Sequence, residues 1–216
     1  ALPGQSLQLW ESHLDQALAL TPDHLSCYNL TIEPGTSFYR LQGQGKLKIP
    51  GEESQLDHFR TTITKLTQAG FKHYEISNFA RPGRECRHNR NYWENGEYWG
   101  IGAGSSSYLD GVRRRNVKSP DQYVRQIKNR GNASAFEEKL EPRQAMGETL
   151  MLGLRLQDGL SLARFEQRFK IPFDQAFGGA AARLLNLNLI TLEGGRVALS
   201  EKGLYLADSV ILEFIE

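Results

Sequence analysis

Apolar positions recur at three- and four-residue steps in several segments, which predicts amphipathic helices. The first such helix follows the N-cap residue Ser6, and a second covers Leu56 to Leu66 and ends at Gly70. Residues 25–32 and 71–79 are instead rich in β-branched and aromatic side chains, which favours buried strands. The alternation of helix and strand predicts an α/β fold with a parallel sheet, in which functional groups collect beyond the C-terminal strand ends.

Beyond residue 80, the pattern of apolar and polar residues changes. Residues 81–99 follow neither period, which predicts a long ordered loop that binds or covers something. Asp110-Gly111 indicates a tight turn. Further helices are predicted at residues 120–131, 142–156, 161–169, 173–187 and after Ser200, with a hairpin at 189–199. Helices followed by a small hairpin give a winged-helix-like outline, so we predict two domains, 1–138 and 139–216.

Composition and charge limit the class of protein. The net charge is +1, but residues 80–131 carry eleven Lys/Arg against five Asp/Glu, while 140–216 carry eight against ten. A basic middle suits an anionic ligand, although a solvated charged face is the commoner explanation for such an excess. Apolar runs are far shorter than a membrane span needs, and neither a secretory leader nor a disulfide framework is recognisable. We therefore expect a protein of the reducing cytoplasm without an integral membrane segment.

The first residues, Ala-Leu-Pro-Gly-Gln, lack an initiator Met and open on a turn signal. We expect a chain that begins just after a missing strand. Strands without their neighbours expose hydrogen-bonding edges, so association of chains is a further expectation.

The densest group of functional side chains runs from Cys86 to Trp93. His88 offers an imidazole to a metal, Asn89 can fix a tautomer or bind a polar ligand edge, and Tyr92 and Trp93 offer flat surfaces. These properties match an iron porphyrin, whose propionates could pair with Arg81, Arg84, Arg87 and Arg90. The alternative is structural, with two aromatic core anchors and a satisfied histidine.

Other motifs carry less chemistry. The glycine run from Gly100 to Gly104 fits neither a dinucleotide fingerprint nor a P-loop, so close backbone packing is its default explanation. Cys27 lies in a predicted strand, where an inert thiol is expected. We identify no catalytic residue.

Several motifs resemble the radical S-adenosylmethionine (SAM) group of haem chaperones and oxygen-independent coproporphyrinogen III oxidases. They are LPGQ at Leu2, HLSCYNLTIEPGT from His24, EISNFARPG with CRHNRNYW from Glu75 to Trp93, and GIGAG from Gly100. The HNxxYW form is that of the haem-chaperone branch. The Gly104 to Tyr108 segment departs from the family's Ala-His-Ser-Tyr form and lacks its histidine.

The resemblance implies the C-terminal part of an incomplete parallel α/β barrel, followed by a small helical domain. The full-length parent would bind a [4Fe-4S] cluster and SAM, but the three-cysteine motif does not occur here, so no cluster ligand and no radical chemistry are expected of this chain alone. By the same resemblance, His88, Asn89, Tyr92 and Trp93 would bind haem. Thr31, Gly102, Gly104 and Ser106 would line the SAM pocket.

Three functions follow as hypotheses. The first is a haem chaperone that delivers haem to an acceptor protein. The second is a coproporphyrinogen III oxidase of porphyrin biosynthesis. The third is a winged-helix nucleic-acid-binding module, which the acidic balance of residues 140–216 disfavours, so no nucleic-acid partner is expected.

Overall fold

The computed structural model describes residues 1–215, which form two compact units, Ala1–Cys86 and a second one that begins at Arg87. Both units combine helices with a β-sheet, so the predicted α/β class is confirmed. The domain boundary that we place between residues 138 and 139 stays a prediction.

The first unit contains three helices and three short strands. In chain order they are α1 (Leu7–Ala19), β1 (His24–Ser26), α2 (Ser37–Gly43), α3 (Glu52–Gln68), β2 (Lys72–Glu75) and β3 (Asn78–Ala80). The Ser6 side chain accepts a hydrogen bond from the Leu9 amide, as expected of an N-cap. Gly70 follows α3 with φ +83°, the left-handed conformation that favours glycine. Both predicted helix boundaries are therefore confirmed.

The sheet of the first unit differs from the prediction. Its strand order is β1-β3-β2, and β3 is antiparallel to both neighbours. Residues 71–79 thus belong to a hairpin rather than to one strand. The strands β1 and β2 run in the same direction, but they do not pair with each other, because β3 lies between them. The Glu75 carboxylate closes the hairpin, because it accepts hydrogen bonds from the Ser77 amide and the Asn78 side chain.

The predicted strand 25–32 is also shorter than expected. Regular pairing ends at Ser26, and the side chain of Tyr28 is exposed. The core of this unit lies between α1, α3 and the sheet, and it is built from Leu14, Leu66, Phe71 and Phe79. Cys27 packs against it, and burial raises the pKa of its thiol to about 11, which agrees with an inert thiol.

His73 is expected to make the stability of this unit dependent on pH. Its ring stacks on Phe79 with centroids 4.4 Å apart, and its Nε2 lies 3.1 Å from the carbonyl oxygen of Ile76. Burial lowers the pKa of His73, and hydrogen bonds with the backbone of Ile76 and Glu75 offset only part of that effect. The unfolded chain, with an imidazole pKa of about 6.5, therefore takes up the proton first as the pH falls.

We expect the free energy of unfolding to fall on acidification below about pH 6.5, with no contribution from His73 above it. Urea unfolding at about pH 7.5 and pH 5.5 measures the loss. His73→Phe keeps the stacked ring and should make the loss smaller, whereas His13→Gln, at an exposed position of α1, should leave it unchanged. A loss in His73→Phe equal to that of the unsubstituted protein would contradict this assignment.

The second unit begins with a short helix and a three-stranded sheet. Its elements are α4 (Arg87–Trp93), β4 (Ser106–Leu109), β5 (Val112–Asn116), α5 (Pro120–Arg130) and β6 (Ser134–Lys139). The strands pair antiparallel in the order β4-β5-β6. Asp110-Gly111 forms the predicted turn, both residues having positive φ, and Gly131 ends α5 in the left-handed conformation. The helix α4 lies inside the segment that we predicted to be a loop.

The rest of the second unit has the predicted winged-helix-like outline. It contains α6 (Pro142–Gly153), β7 (Leu160–Ser161), α7 (Leu162–Phe169), α8 (Phe173–Asn186), β8 (Ile190–Glu193), β9 (Arg196–Leu199), α9 (Glu201–Leu204) and α10 (Ala207–Ile215). The sheet order is β7-β9-β8, with both pairs antiparallel. The largest core of the unit surrounds Phe165 and includes Leu150, Phe177, Val197 and Phe214. Among residues 1–215, no helix is both long and apolar enough to cross a membrane.

Candidate functional site

The helix α4 brings the four residues of the predicted haem site together. At about 100° per residue, His88, Asn89, Tyr92 and Trp93 fall within an arc of about 140° on one side of the helix. Hydrogen bonds from the amides of Asn95 and Gly96 back to the carbonyls of Tyr92 and Asn91 end the helix. Asn95 takes a positive φ of 50°, a conformation that asparagine tolerates.

His88 is the most accessible of the four residues, and it contacts Tyr92. His88 is exposed, and its ring meets the Tyr92 ring edge to face with centroids 4.7 Å apart. Tyr92 meets Tyr98 in the same way at 4.6 Å, and Tyr98 lies 6.4 Å from the buried Tyr108. The imidazole of His88 is thus packed against a row of tyrosine rings and remains accessible to solvent. A side chain that binds a metal arriving from solution needs such an accessible position.

Asn89 and Trp93 are half-buried, as Tyr92 is. The guanidinium of Arg155 lies over the Trp93 ring at 4.6 Å from its centroid. The Trp93 Nε1 donor is buried and has no acceptor among residues 1–215. Of the four residues, only His88 is exposed, while Asn89, Tyr92 and Trp93 are half-buried.

The four arginines that we considered for propionates are divided between the two units and have different partners. Arg81 donates to the carbonyl of Ala69 and lies over the Phe71 ring, while Arg84 lies 4.0 Å from Asp23. Both belong to the first unit. Arg87 is exposed on α4, and Arg90 bridges the carboxylates of Glu94 and Asp158, at 3.2 and 3.1 Å.

Besides Arg87 and Arg90, several basic groups near α4 come from distant parts of the sequence. Arg155 follows α6, Arg164 and Arg168 lie on α7, and Arg196 starts β9. Three of them, with Trp93, line one cavity. Sequence reasoning missed these residues, because nothing in their spacing relates them to Cys86–Trp93.

The residues of the predicted SAM pocket fall in both units. Thr31 is exposed in the first unit, outside any strand. Gly102 and Gly104 lie in the second unit just before β4, which begins at Ser106. The Gly102 amide donates to the Tyr123 hydroxyl and the Gly104 amide to the Val117 carbonyl. These amides are occupied within the protein, and the assignment of all four residues stays a prediction.

The residues described here do not fit an iron–sulfur cluster. Cys27 and Cys86 are unpaired, and residues 1–215 contain no group of three or more His, Cys, Asp or Glu side chains that could hold a metal ion. No step of chemistry is therefore assigned to a cluster in this chain.

Comparison with known proteins identifies relatives along the whole chain. A family described as the HemN C-terminal domain matches residues 140–206. The heme chaperone HemW of Lactococcus lactis is 34% identical over 215 residues, which cover 100% of the chain and 56% of that protein. HemW of Synechocystis is 43% identical over 76% of the chain and 40% of its own length.

A solved structure has the same fold. The coproporphyrinogen III oxidase HemN from Escherichia coli, a radical SAM enzyme, superimposes with a TM-score of 0.75 over 99% of the chain and 52% of its own length, at 23% identity. The chain spans about half the length of the curated relatives it matches.

Proposed function

Because the chain belongs to the radical SAM family that contains the haem chaperone HemW and the oxidase HemN, we propose that it carries the haem-holding site of a haem chaperone. The observation that carries the proposal is the exposed imidazole of His88, held edge to face by Tyr92 on a short helix. An accessible neutral imidazole is the commonest protein ligand of haem iron. Haem is the cargo in this proposal.

The chaperone function is favoured over the oxidase function by the relatives. Two relatives at 34% and 43% identity are heme chaperones, whereas the structural neighbour HemN is 23% identical and supports the fold alone. We further propose that a longer protein containing this chain carries the [4Fe-4S] cluster and SAM, acts in the cytoplasm and passes haem to an acceptor protein. That it binds no nucleic acid, and that chains associate, remain predictions.

The exposed histidine gives the test of this proposal. Titration of the chain with haem should give a saturable shift of the Soret band at one equivalent. His88→Ala should abolish the shift or weaken binding by more than about the tenfold to hundredfold that is typical when a metal ligand loses only its hydrogen-bond partner. His88 is exposed, so this substitution should leave the fold intact.

His13→Ala is the matched control, because His13 is also exposed and lies on α1 of the first unit. It should bind haem like the unsubstituted chain. A Soret shift of equal size and affinity in His88→Ala would remove His88 from the site and leave only the family relationship.

A further inference from the structure

A cavity of about 270 Å³ lies in the second unit, beside the C-terminal end of α4. The residues at that end which line it, Trp93 and Glu94, lie about 140° and 240° round the helix from His88. The volume is below the roughly 300–1,000 Å³ of pockets that enclose a whole small ligand. The cavity therefore has room for a side chain or a compound of similar size, and its occupant is independent of haem at His88.

The charged groups around this cavity share too few carboxylates. Arg164 lies 2.9 Å from Glu94, and the same carboxylate lies 3.2 Å from Arg90. Asp158 is likewise shared, by Arg90 at 3.1 Å and by Arg196 at 3.7 Å. Two carboxylates thus serve three guanidinium groups, of which those of Arg164 and Arg196 line the cavity.

Two further features add positive charge to the wall. Arg168 also lines the cavity, and it donates to the carbonyl oxygen of Asn95 at 2.9 Å and to the hydroxyl of Tyr108, both of them neutral acceptors. Arg164 is the third residue of α7, and the first turn of that helix contains no acidic residue. The N-terminus of a helix carries a partial positive charge, which disfavours a cation and favours an anion.

Glu94 indicates which anion suits this place. Its carboxylate already accepts a hydrogen bond from Nη1 of Arg164, so the wall is shaped to hold a carboxylate. The side chains of Glu94 and Arg164 are 33% and 71% exposed, and ion pairs that solvent reaches are weak. A carboxylate from outside can therefore replace Glu94 on Arg164.

We propose that the cavity binds the carboxylate of an external ligand, carried on a short aliphatic chain, and that Glu94 occupies Arg164 until the ligand displaces it. The small volume of the cavity sets the short chain. Arginine binds carboxylates through two parallel hydrogen bonds, which gives Arg164 the leading role. A free acid and an acidic side chain of a partner protein share this chemistry.

Butyrate provides the probe, because it reproduces a glutamate side chain, and butyramide is its neutral counterpart. In an NMR titration of the full chain, butyrate should shift the amide signals of Gly96 and Gly159, which line the cavity, and leave that of Gly179 on α8 unchanged. It should bind at least about tenfold more tightly than butyramide, because a charged acceptor forms the stronger hydrogen bonds with arginine. Equal affinity of the two compounds would overturn the proposal.

Substitutions of Arg164 and Glu94 should have opposite effects. Arg164→Gln removes the cation and should weaken butyrate binding about twofold to fivefold. Glu94→Gln removes the competing carboxylate and should strengthen binding by about the same factor. Both side chains reach solvent, so circular dichroism should show an unchanged fold. Butyrate affinity that is not raised in Glu94→Gln would contradict the displacement of Glu94.

Arg183 and Glu213 provide the matched controls, since they form an exposed ion pair at 3.2 Å and do not line the cavity. Arg183→Gln changes the net charge as Arg164→Gln does, and Glu213→Gln changes it as Glu94→Gln does. Neither control should alter the affinity for butyrate. Effects as large as those of the cavity variants would show that only the overall charge matters, and the site would be wrong.

A peptide distinguishes the two sources of the carboxylate. The capped tripeptide acetyl-Ala-Glu-Ala-amide is titrated beside its counterpart with glutamine in the middle. Tighter binding of the glutamate peptide than of butyrate would assign the site to an acidic residue of a partner protein, and weaker binding would assign it to a free acid. Equal binding of the glutamate and glutamine peptides, together with equal binding of butyrate and butyramide, would leave no carboxylate site.

Discussion

Phe165→Ala is expected to lower the free energy of unfolding by about 3–5 kcal/mol. The ring is fully buried, and its centroid lies 4.9, 5.8 and 5.9 Å from those of Phe169, Phe173 and Phe177. These neighbours belong to α7 and α8, so truncation would leave a hole where two helices meet. The loss would exceed the simple transfer energy, because a close-packed core collapses only partly around a cavity.

Chemical unfolding monitored by circular dichroism measures this loss. Phe136→Ala is the control, since that residue on β6 is 42% exposed, with the guanidinium of Arg115 over its ring at 5.4 Å from the centroid. It should cost about 1 kcal/mol or less. A cost of that size for Phe165→Ala as well would mean that the helices repack freely around the missing ring.

The C-terminal part of the fold was the most predictable from sequence. Its helices have strong apolar periodicity and recognisable N-caps, such as Ser161, whose hydroxyl accepts from the Arg164 amide, and Ser200, which accepts from the Gly203 amide. The hairpin between β8 and β9 turns at Gly194 and Gly195, both with positive φ. Each of these signals is local, and a local signal is visible in a sequence.

The hairpin between β2 and β3 was missed because its turn carries no glycine, proline or Asn-Gly pair. It is closed instead by the buried Glu75 side chain, which contacts the backbone and side chain of the following residues. In the sequence, Glu75 cannot be told apart from an ordinary polar residue of a longer strand. The consequence was a wrong assignment of strand pairing in the first unit.

Strand β6 was missed for a related reason. Its side chains do not alternate between apolar and polar, and most are exposed or half-exposed. Cross-strand ion pairs stabilise it, Arg114 with Glu137 at 3.1 Å and Arg113 with Glu138 at 3.8 Å. Pairing between charged side chains on neighbouring strands becomes visible only when the register is known.

Only part of the candidate site could be predicted from the sequence. His88, Asn89, Tyr92 and Trp93 are contiguous enough for a motif to reveal them. The arginines of the cavity come from helix α7 and strand β9, which place Arg164 and Arg196 32 positions apart in sequence, and only packing brings them to Trp93. The iron-ligand hypothesis was therefore available from sequence, whereas the group of arginines beside Trp93 became visible only in the structure.

Gly203→Ala is expected to lower the free energy of unfolding of the second unit by about 3 kcal/mol or more. A Cβ at this buried position would lie 1.8 Å from the carbonyl oxygen of Leu189. That carbonyl accepts a hydrogen bond from the Ser200 amide and belongs to the backbone, so it cannot rotate away as a side chain would. Helix α9 would have to move off the residues that lead into β8.

Gly179→Ala tests the same chemical change without the clash. Gly179 is exposed within α8, and a Cβ there would meet no atom within 4 Å. Because alanine restricts the unfolded chain and favours helix, the substitution should stabilise the protein by about 0.5–1 kcal/mol. Thermal unfolding of the two variants should therefore shift Tm in opposite directions. Equal shifts would mean that α9 yields easily, and that its close contact with Leu189 contributes little to the stability of the unit.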